Sequence, residues 1–406
     1  MNINPPAMPT ALCSMPVIFS PAMAMNLSNT FNRFFDSEKS SGILLIFCTA
    51  ISLSITNSAI GPEYVRLWQG TVAGMSIEHW INDALMAVFF LLIGLELERE
   101  LYVGELSNFR DALLPIFAAV GGMIAPAVIH LSLNAGTPEQ AGAGIPMATD
   151  IAFALGALAL LGSRIPASLK VFVVAFAVID DLGAILIIAL FYTAELSIWY
   201  LVAASTTCAL LVALNRLRVM SLAPYVVGGA IMWFLMLRSG VHATIAGVAL
   251  AFAIPFVAKR KDQPSPSHRL EHLLHKPVAF IILPLFALAN TAIPVGADWM
   301  QSLTNANGVG IAAGLVLGKP LGVTVLCAVA VACGICRLPT DLKWRHIVGA
   351  GILGGIGFTM SIFVAHLAFA GNAEAINTSK MAILVASLTA GLLGWLWLRL
   401  LSKPEA

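Results

Sequence analysis

Charged residues are scarce in this sequence: Asp, Glu, Lys and Arg make up 11% of it, against about 25% in an ordinary soluble domain. Hydrophobic residues make up 59%, and the mean hydropathy is +0.90. The 406 residues suffice for about twelve membrane spans joined by short loops. The composition therefore excludes a soluble globular protein and predicts an all-α polytopic membrane protein of about twelve transmembrane helices.

Cysteine pairs and basic tracts are also scarce, and each absence excludes a class of site. Cys333 and Cys336 have redox spacing, but no second pair exists to complete a zinc site. No run of Lys and Arg is long enough to indicate nucleic-acid binding, and the net charge is only +1. We therefore expect neither a cofactor nor a nucleic-acid partner.

Basic residues divide unevenly between the two sides of the predicted membrane. With the N-terminus in the cytoplasm, only Arg66, Arg238 and Lys380 fall on the outer side, and Lys319 lies inside the membrane. We therefore expect both termini to be cytoplasmic.

The predicted domain organisation is simple. A single transmembrane domain at 41–401 lies between cytoplasmic tails at 1–40 and 402–406. The long outer connection, at about 61–77, contains strand formers from Tyr64 to Val72 and predicts a short hairpin. The longest cytoplasmic connection is predicted at 258–275.

Two predicted segments contain helix-breaking residues. The fourth, Ala143–Leu161, has Pro146 shortly before Asp150, and the eleventh, Ile347–Ala370, has four glycines within residues 351–357. Each is the middle of a triple of segments, and the two triples run in opposite directions through the membrane. This pattern indicates an inverted-topology repeat with two discontinuous helices crossing at the midplane.

Four charged residues lie inside predicted segments: Asp150, Asp180, Asp181 and Lys319. Each costs about 2.5–3.5 kcal/mol at the membrane centre on insertion scales, so we expect them to face one another or water. Three acids against one base leave negative charge that a cation or protons can balance. The adjacent carboxylates of Asp180 and Asp181 repel each other and should titrate as a coupled unit.

The expected donors at this site are all oxygens: the three carboxylates, the Thr149 hydroxyl, and carbonyls freed where the helices break. No Cys or His lies at this depth in the fourth and fifth segments, which argues against zinc or a soft metal. The site is therefore predicted to take an alkali cation or protons. Lys319 has two compatible roles, as a structural counter-ion or as a proton carrier.

Four motifs, in this order, resemble those of the bacterial NhaA-type sodium/proton antiporter family. They are ATDIAFALG at 148–156, DDLGA at 180–184, GKPLG at 318–322 and GGIGFTMS at 354–361. The resemblance covers about 41–401. It implies an electrogenic, pH-regulated secondary transporter that exports Na⁺ or Li⁺ in exchange for protons by alternating access. It also implies a bacterial inner-membrane protein, in contact with lipid, that dimerises through the outer hairpin.

The resemblance further implies the roles of individual residues. Asp180 and Asp181 bind Na⁺ and carry protons, Asp150 with Thr149 lines the crossing of the broken helices, and Lys319 pairs with Asp180. A pH-sensing entrance is implied for Glu96, Arg99, Glu271, His272 and His275. Two departures, His268 and Glu98 at positions where lysine is expected, leave the activation pH open.

Residue spacing alone leaves a cation or proton symporter, or a channel, on the same scaffold as the alternative function. An enzyme is a weaker alternative. Paired membrane aspartates can cleave peptides or bind Mg²⁺, but a Gly-x-Gly-Asp signature is absent, and no third aspartate follows Asp181 within 182–186.

Overall fold

The structure, a computed structural model, describes residues 40–192, 196–258, 264–296 and 299–401. Apart from Ser40, the predicted tails at 1–40 and 402–406 lie outside these residues, as do residues 259–263 of the predicted loop at 258–275. Within the described ranges the chain is helical, apart from connections and one two-stranded sheet.

The α-helices of these ranges are numbered in chain order. They are α1 (Ser40–Thr56), α2 (Gly61–Gln69), α3 (Ile77–Trp80), α4 (Met86–Tyr102), α5 (Phe109–Asn134), α6 (Ile151–Ala159), α7 (Ala167–Phe191), α8 (Ile198–Arg216), α9 (Ala223–Ser239), α10 (Ile245–Ala253), α11 (Pro266–Pro277), α12 (Leu283–Asn290), α13 (Trp299–Thr304), α14 (Ala306–Ala313), α15 (Lys319–Ala332), α16 (Trp344–Gly354), α17 (Phe358–Ala368) and α18 (Ala373–Leu401). Shorter 3₁₀ segments lie at Glu105–Ser107, Pro138–Met147 and Gly162–Arg164, and π turns at Ile81–Leu85, Val278–Ile282 and Gly314–Gly318.

Several of these elements join end to end into long apolar stretches. In the described part of the chain, eight stretches are long and apolar enough to cross a membrane, or ten if each of two bent helix pairs is one span. Examples are Ile77–Tyr102 and Ala306–Ala332, each of which includes a π turn. The all-α polytopic architecture is thereby confirmed. The number of about twelve spans, the inverted repeat and the crossing of two discontinuous helices at the midplane stay predictions.

The outer connection differs from the expected hairpin in its first half. Tyr64 and Trp68 were expected in a strand but lie in α2. Pro62 occupies the first turn of this helix, where its fixed φ and missing N–H are tolerated. Trp68 is buried, with its ring 5.6 Å from that of Tyr64 in an edge-on contact. Packing of these aromatic rings therefore overrides their strand propensity.

A hairpin does follow this helix, but it is very short. Strands β1 (Thr71–Val72) and β2 (Met75–Ser76) pair in antiparallel register. Ala73 and Gly74 both have positive φ, 51° and 86°, as a two-residue hairpin turn requires. The Ser76 side chain then caps α3 by accepting a hydrogen bond from the backbone N–H of His79.

The helices form two packing groups. In the first group α4 packs on α10 and α8 packs on α9, around a core that includes Leu95 and Tyr225. In the second group α5 packs on α15 and α7, and α16 packs on α15 and α18. Because α6, which follows Asp150, packs on α7, the elements that carry the four intramembrane charges all belong to the second group.

The crossing of α5 and α15 is unusually close. A Cβ atom on Gly121 would lie 2.1 Å from the carbonyl oxygen of Gly322, and one on Gly322 would lie 2.0 Å from that of Gly121. Only glycine fits at either position, because the two backbones touch. Since α15 begins at Lys319, one turn before Gly322, this contact fixes the position of Lys319 within the second group.

Candidate functional site

The first interruption of a helical path lies between Met147 and Ile151. A 3₁₀ segment ends at Met147, residues 148–150 are extended, and α6 then begins with Asp150 as its N-cap. One carboxylate oxygen of Asp150 accepts a hydrogen bond from the backbone N–H of Phe153, 3.2 Å away. This capping explains locally why a buried aspartate stands where a helix starts, since the first helical N–H groups lack partners.

The second interruption lies between Gly354 and Phe358. Here α16 ends, and α17 resumes with a bend of 48° between the two axes. Gly355 has no room for a side chain, because a Cβ atom would lie 2.3 Å from the carbonyl oxygen of Leu315. The glycines predicted from the sequence to break this segment thus allow close backbone approach as well as a bend.

The two interruptions bond to each other. The Asp150 N–H donates to the Ile356 carbonyl at 2.7 Å, and the Thr149 hydroxyl donates to the Gly354 carbonyl at 2.9 Å. In return, the second carboxylate oxygen of Asp150 accepts from the Thr359 backbone N–H at 3.0 Å and from the Thr359 hydroxyl. Asp150 therefore accepts hydrogen bonds from backbone N–H groups at the N-terminal ends of both α6 and α17, where helix dipoles favour a negative charge.

Lys319 reaches this junction from α15. A π turn at Gly314–Gly318 precedes it directly. The Lys319 ammonium lies 2.5 Å from Oδ2 of Asp180 and 2.8 Å from the Thr149 hydroxyl, and it stands over the Phe176 ring. The side chains of Lys319 and Asp180 are both fully buried, so the two charges form a buried ion pair.

Asp181 differs from its neighbour. It is fully buried, and neither of its carboxylate oxygens has a hydrogen-bond partner in the part of the chain that the structure describes. It lines a cavity of about 50 Å³ together with Asp150 and Thr359. One water needs roughly 10–15 Å³ of such space, so the cavity has room for a small cation or a few waters. Unpartnered buried carboxylate oxygens are costly and indicate a ligand or a proton.

The cavity extends from Asp181 towards Glu96 and His275, which also line it. One helical turn beyond these residues, Arg99 forms an ion pair of 2.9 Å with Glu271. His272 is exposed on the same helix, α11. Four of the five residues predicted at the entrance therefore lie at this end of the cavity, while His272 faces outward.

The entrance also contains Glu98, which the sequence analysis identified only as a departure from the family pattern. Glu98 is buried, at 4% exposure, and accepts a hydrogen bond of 2.9 Å from the Ser267 hydroxyl. The other departure, His268, contacts Glu271 at 3.4 Å on the exposed side of α11. Both residues therefore lie at the entrance, Glu98 against Ser267 and His268 against Glu271.

Thr359 is the site residue that sequence reasoning missed. It lies in the GGIGFTMS motif and is the first hydroxyl residue after the second interruption, which was the signal available. Ser361, two residues later, donates to the Ile145 carbonyl at 2.7 Å and joins the same two segments.

No group of three or more His, Cys, Asp and Glu side chains is arranged to hold a metal ion in the ranges 40–192, 196–258, 264–296 and 299–401. The charged groups instead form a mixed site: one carboxylate is paired, one has no hydrogen-bond partner among the described residues, and one caps two helices. The fold and this site together define a class: a polytopic α-helical membrane protein with a charged site buried where two interrupted helices meet.

Comparison with known proteins narrows this class to one family. The sequence profile of the family Na+/H+ antiporter 1 matches residues 32–398. The Na(+)/H(+) antiporter NhaA of Dechloromonas aromatica is 70% identical over 380 residues, which are 93% of this chain and 98% of that protein. The NhaA proteins of Cytophaga hutchinsonii and Vibrio campbellii are 57% and 50% identical, over 93% and 92% of this chain and 97% and 95% of their own lengths. The chain belongs to the Na+/H+ antiporter 1 family.

Proposed function

We propose that this protein is a secondary active transporter that exports Na⁺ or Li⁺ in exchange for protons. The relatives named Na(+)/H(+) antiporter NhaA support the reaction, and one observation on this chain carries it: the buried, unpartnered carboxylate of Asp181 at the end of an ion-sized cavity. The cations are cargo at Asp180 and Asp181, and no resident cofactor and no enzymatic activity are part of the proposal.

Exchange follows from competition between a cation and protons for the same oxygens. A monovalent cation binds the paired aspartates when they are ionised, and the proton-loaded pair has no charge to attract it. The two states exclude each other because adjacent carboxylates in a buried site cannot both stay ionised without a counter-charge. Two carboxylates can release two protons while they bind one monovalent cation. Each cycle would then move one net positive charge, so the proposed exchange is electrogenic.

Lys319 is proposed to act mainly as a counter-ion. Its ammonium balances the charge of Asp180, and its bond to the Thr149 hydroxyl ties this pair to the first interruption. When both aspartates are ionised, Lys319 balances one negative charge and the cation balances the other; when both are protonated, the ammonium keeps its bond to the Thr149 hydroxyl. The alternative, in which Lys319 itself carries a proton, predicts that Lys319→Arg stays active but loses electrogenic transport, because arginine does not deprotonate.

Alternating access is proposed to occur between the two packing groups. The cavity is lined by Phe89 and Leu92 of the first group and by Asp150 and Thr359 of the second. The two groups also meet through Phe90 and Phe363, with 5.3 Å between ring centroids. Closure of the cavity and opening of the contact between Phe90 and Phe363 would present the site to the other side of the membrane.

Regulation by pH is proposed for the entrance, where Arg99 pairs with Glu271 and where His272 and His275 lie on the same helix as Glu271. We further propose a homodimer formed through the hairpin of β1 and β2, because β1 is exposed and a sheet edge can pair with a second copy. The proposed location is the bacterial inner membrane, with both termini cytoplasmic, as the distribution of basic residues favours.

The reaction is testable with purified protein in liposomes with an acidic interior. External Na⁺ should drive proton efflux, detected with a pH-sensitive dye, and charge movement should accompany it. Asp181→Asn should abolish the efflux, because the amide keeps the shape but exchanges no proton. Asp341→Asn, which changes an exposed aspartate, is the matched control and should keep full activity.

The same assay separates the alternative functions. A symporter would move protons in the same direction as Na⁺, and a channel would pass protons without added Na⁺. Full exchange by the Asp181→Asn protein would refute the assignment of the site.

A further inference from the structure

A second cavity, of about 260 Å³, lies outside the ion site. Leu160, Leu161, Arg164, Trp395 and Arg399 line it. The first three residues follow the end of α6, and the other two lie in the last turns of α18. In the predicted topology this is the cytoplasmic side of the membrane, since Arg164 and Arg399 belong to the basic majority there.

The polar side chains that line this cavity are all hydrogen-bond donors. Guanidinium groups and the indole N–H donate and accept nothing. The indole nitrogen of Trp395 is buried and has no hydrogen-bond partner among the described residues. Arg399 stacks on the same indole, with its guanidinium carbon 4.7 Å from the ring centre, which orients both side chains.

In the ranges that the structure describes, neither Arg164 nor Arg399 forms an ion pair with a carboxylate. The cavity thus offers two positive charges and an unused buried donor. Leaving a buried donor unsatisfied costs free energy, so a ligand that brings acceptor oxygens and negative charge would be stabilised here.

The surface around the cavity is apolar and exposed. Leu160 is 57% exposed, and on α18 Leu396 and Leu400 are 44% and 79% exposed. In a membrane these leucines contact acyl chains. A small soluble anion would use the donors but not this apolar surface, whereas a phospholipid uses both.

We propose that this cavity binds the phosphate of an anionic phospholipid, with Arg164, Arg399 and the Trp395 indole as donors and the exposed leucines against its acyl chains. The bound lipid would hold the end of α6 against α18. Because α6 begins at Asp150 and α18 packs on α16, the lipid would brace both interrupted helices from the same side. The proposal does not depend on the transport reaction.

Lipid binding can be measured by native mass spectrometry of the purified, delipidated protein with added phosphatidylglycerol. Arg164→Gln and Arg399→Gln should each weaken its binding about tenfold, since each removes a charge-assisted contact to the phosphate. Trp395→Phe should weaken it without a change of charge. The matched control is Arg216→Gln, an exposed arginine at the end of α8 far from this cavity in the chain.

Two further ligands identify the source of the phosphate. Phosphatidylcholine should bind much more weakly, because its choline cancels the charge, and glycerol 3-phosphate should bind weakly, because it lacks acyl chains. Binding of glycerol 3-phosphate as tight as that of the lipid would refute a lipid site.

An equal loss in Arg216→Gln would also refute the proposal, because it would show general attraction to a basic surface. Arg164→Lys and Arg399→Lys test whether a variant merely fails to fold. They keep the charge and should retain part of the binding, with an unchanged elution volume in size-exclusion chromatography. Partial binding by the lysine variants supports charge-assisted contacts to the phosphate, and full binding by the glutamine variants overturns the site.

Discussion

Replacing Lys319 by glutamine should destabilise the protein by about 3–5 kcal/mol, the cost of breaking a fully buried ion pair. The ammonium lies 2.5 Å from Oδ2 of Asp180 and 2.8 Å from the Thr149 hydroxyl, and no surface of Lys319 or Asp180 is exposed. The second oxygen of Asp180 already lacks a hydrogen-bond partner among the described residues. The variant therefore leaves a fully buried carboxylate without its counter-charge.

The double variant Lys319→Gln/Asp180→Asn separates this cost from a simple loss of packing. It replaces two charges by two amides of similar shape, so the buried charge disappears. We expect it to be more stable than Lys319→Gln by about 2 kcal/mol, as a coupled pair predicts. The deficit of the single variant should also shrink as the pH falls, because a protonated Asp180 carries no charge.

The assay is equilibrium unfolding in mixed micelles, followed by tryptophan fluorescence, for the wild type, both single variants and the double variant. Lys319→Arg, which keeps the charge, serves as the control for side-chain length. Additive losses in the double variant would refute the coupling of these two charges. A Lys319→Gln protein as stable as the wild type would refute the buried ion pair itself.

Three further predictions test other parts of the structure. Glu271→Gln removes the partner of Arg99, so the pH of half-maximal exchange should move while the maximal rate is kept; a lost maximum with an unmoved profile would place Glu271 in the ion path instead. Gly121→Ala should lower the free energy of unfolding by about 1–3 kcal/mol, because its Cβ would meet a backbone oxygen at 2.1 Å. In the control Gly391→Ala the nearest atom to the new Cβ is 3.5 Å away, so this variant should unfold at the same denaturant concentration as the wild type or at a higher one. Glu78 lies 3.7 Å from the buried Lys380 and joins the two packing groups, so Glu78→Lys should reduce thermal stability and addition of Lys380→Glu should restore it; no rescue would contradict this pairing.

Much of the fold and part of the site were predictable from the sequence, for local reasons. Acids within an apolar run, as at Asp180 and Asp181, are visible without any contact information. The helix breaks near Pro146 and within 351–357 were also visible, because proline and glycine act on their own backbone. The strand expected at Tyr64 was wrong, because burial of Trp68 against its neighbours outweighed local strand propensity.

The sequence by itself determined that this is an all-α polytopic membrane protein, that four charges lie within its apolar segments, and which family it resembles. These are properties of consecutive residues and of motifs in fixed order. The tertiary structure alone decided that Asp181 has no hydrogen-bond partner among the described residues, that Asp150 bonds Thr359, and that Arg164 and Arg399 line one cavity. The physical reason is that burial and hydrogen bonding depend on distances between segments remote in the chain, and no local pattern encodes those distances.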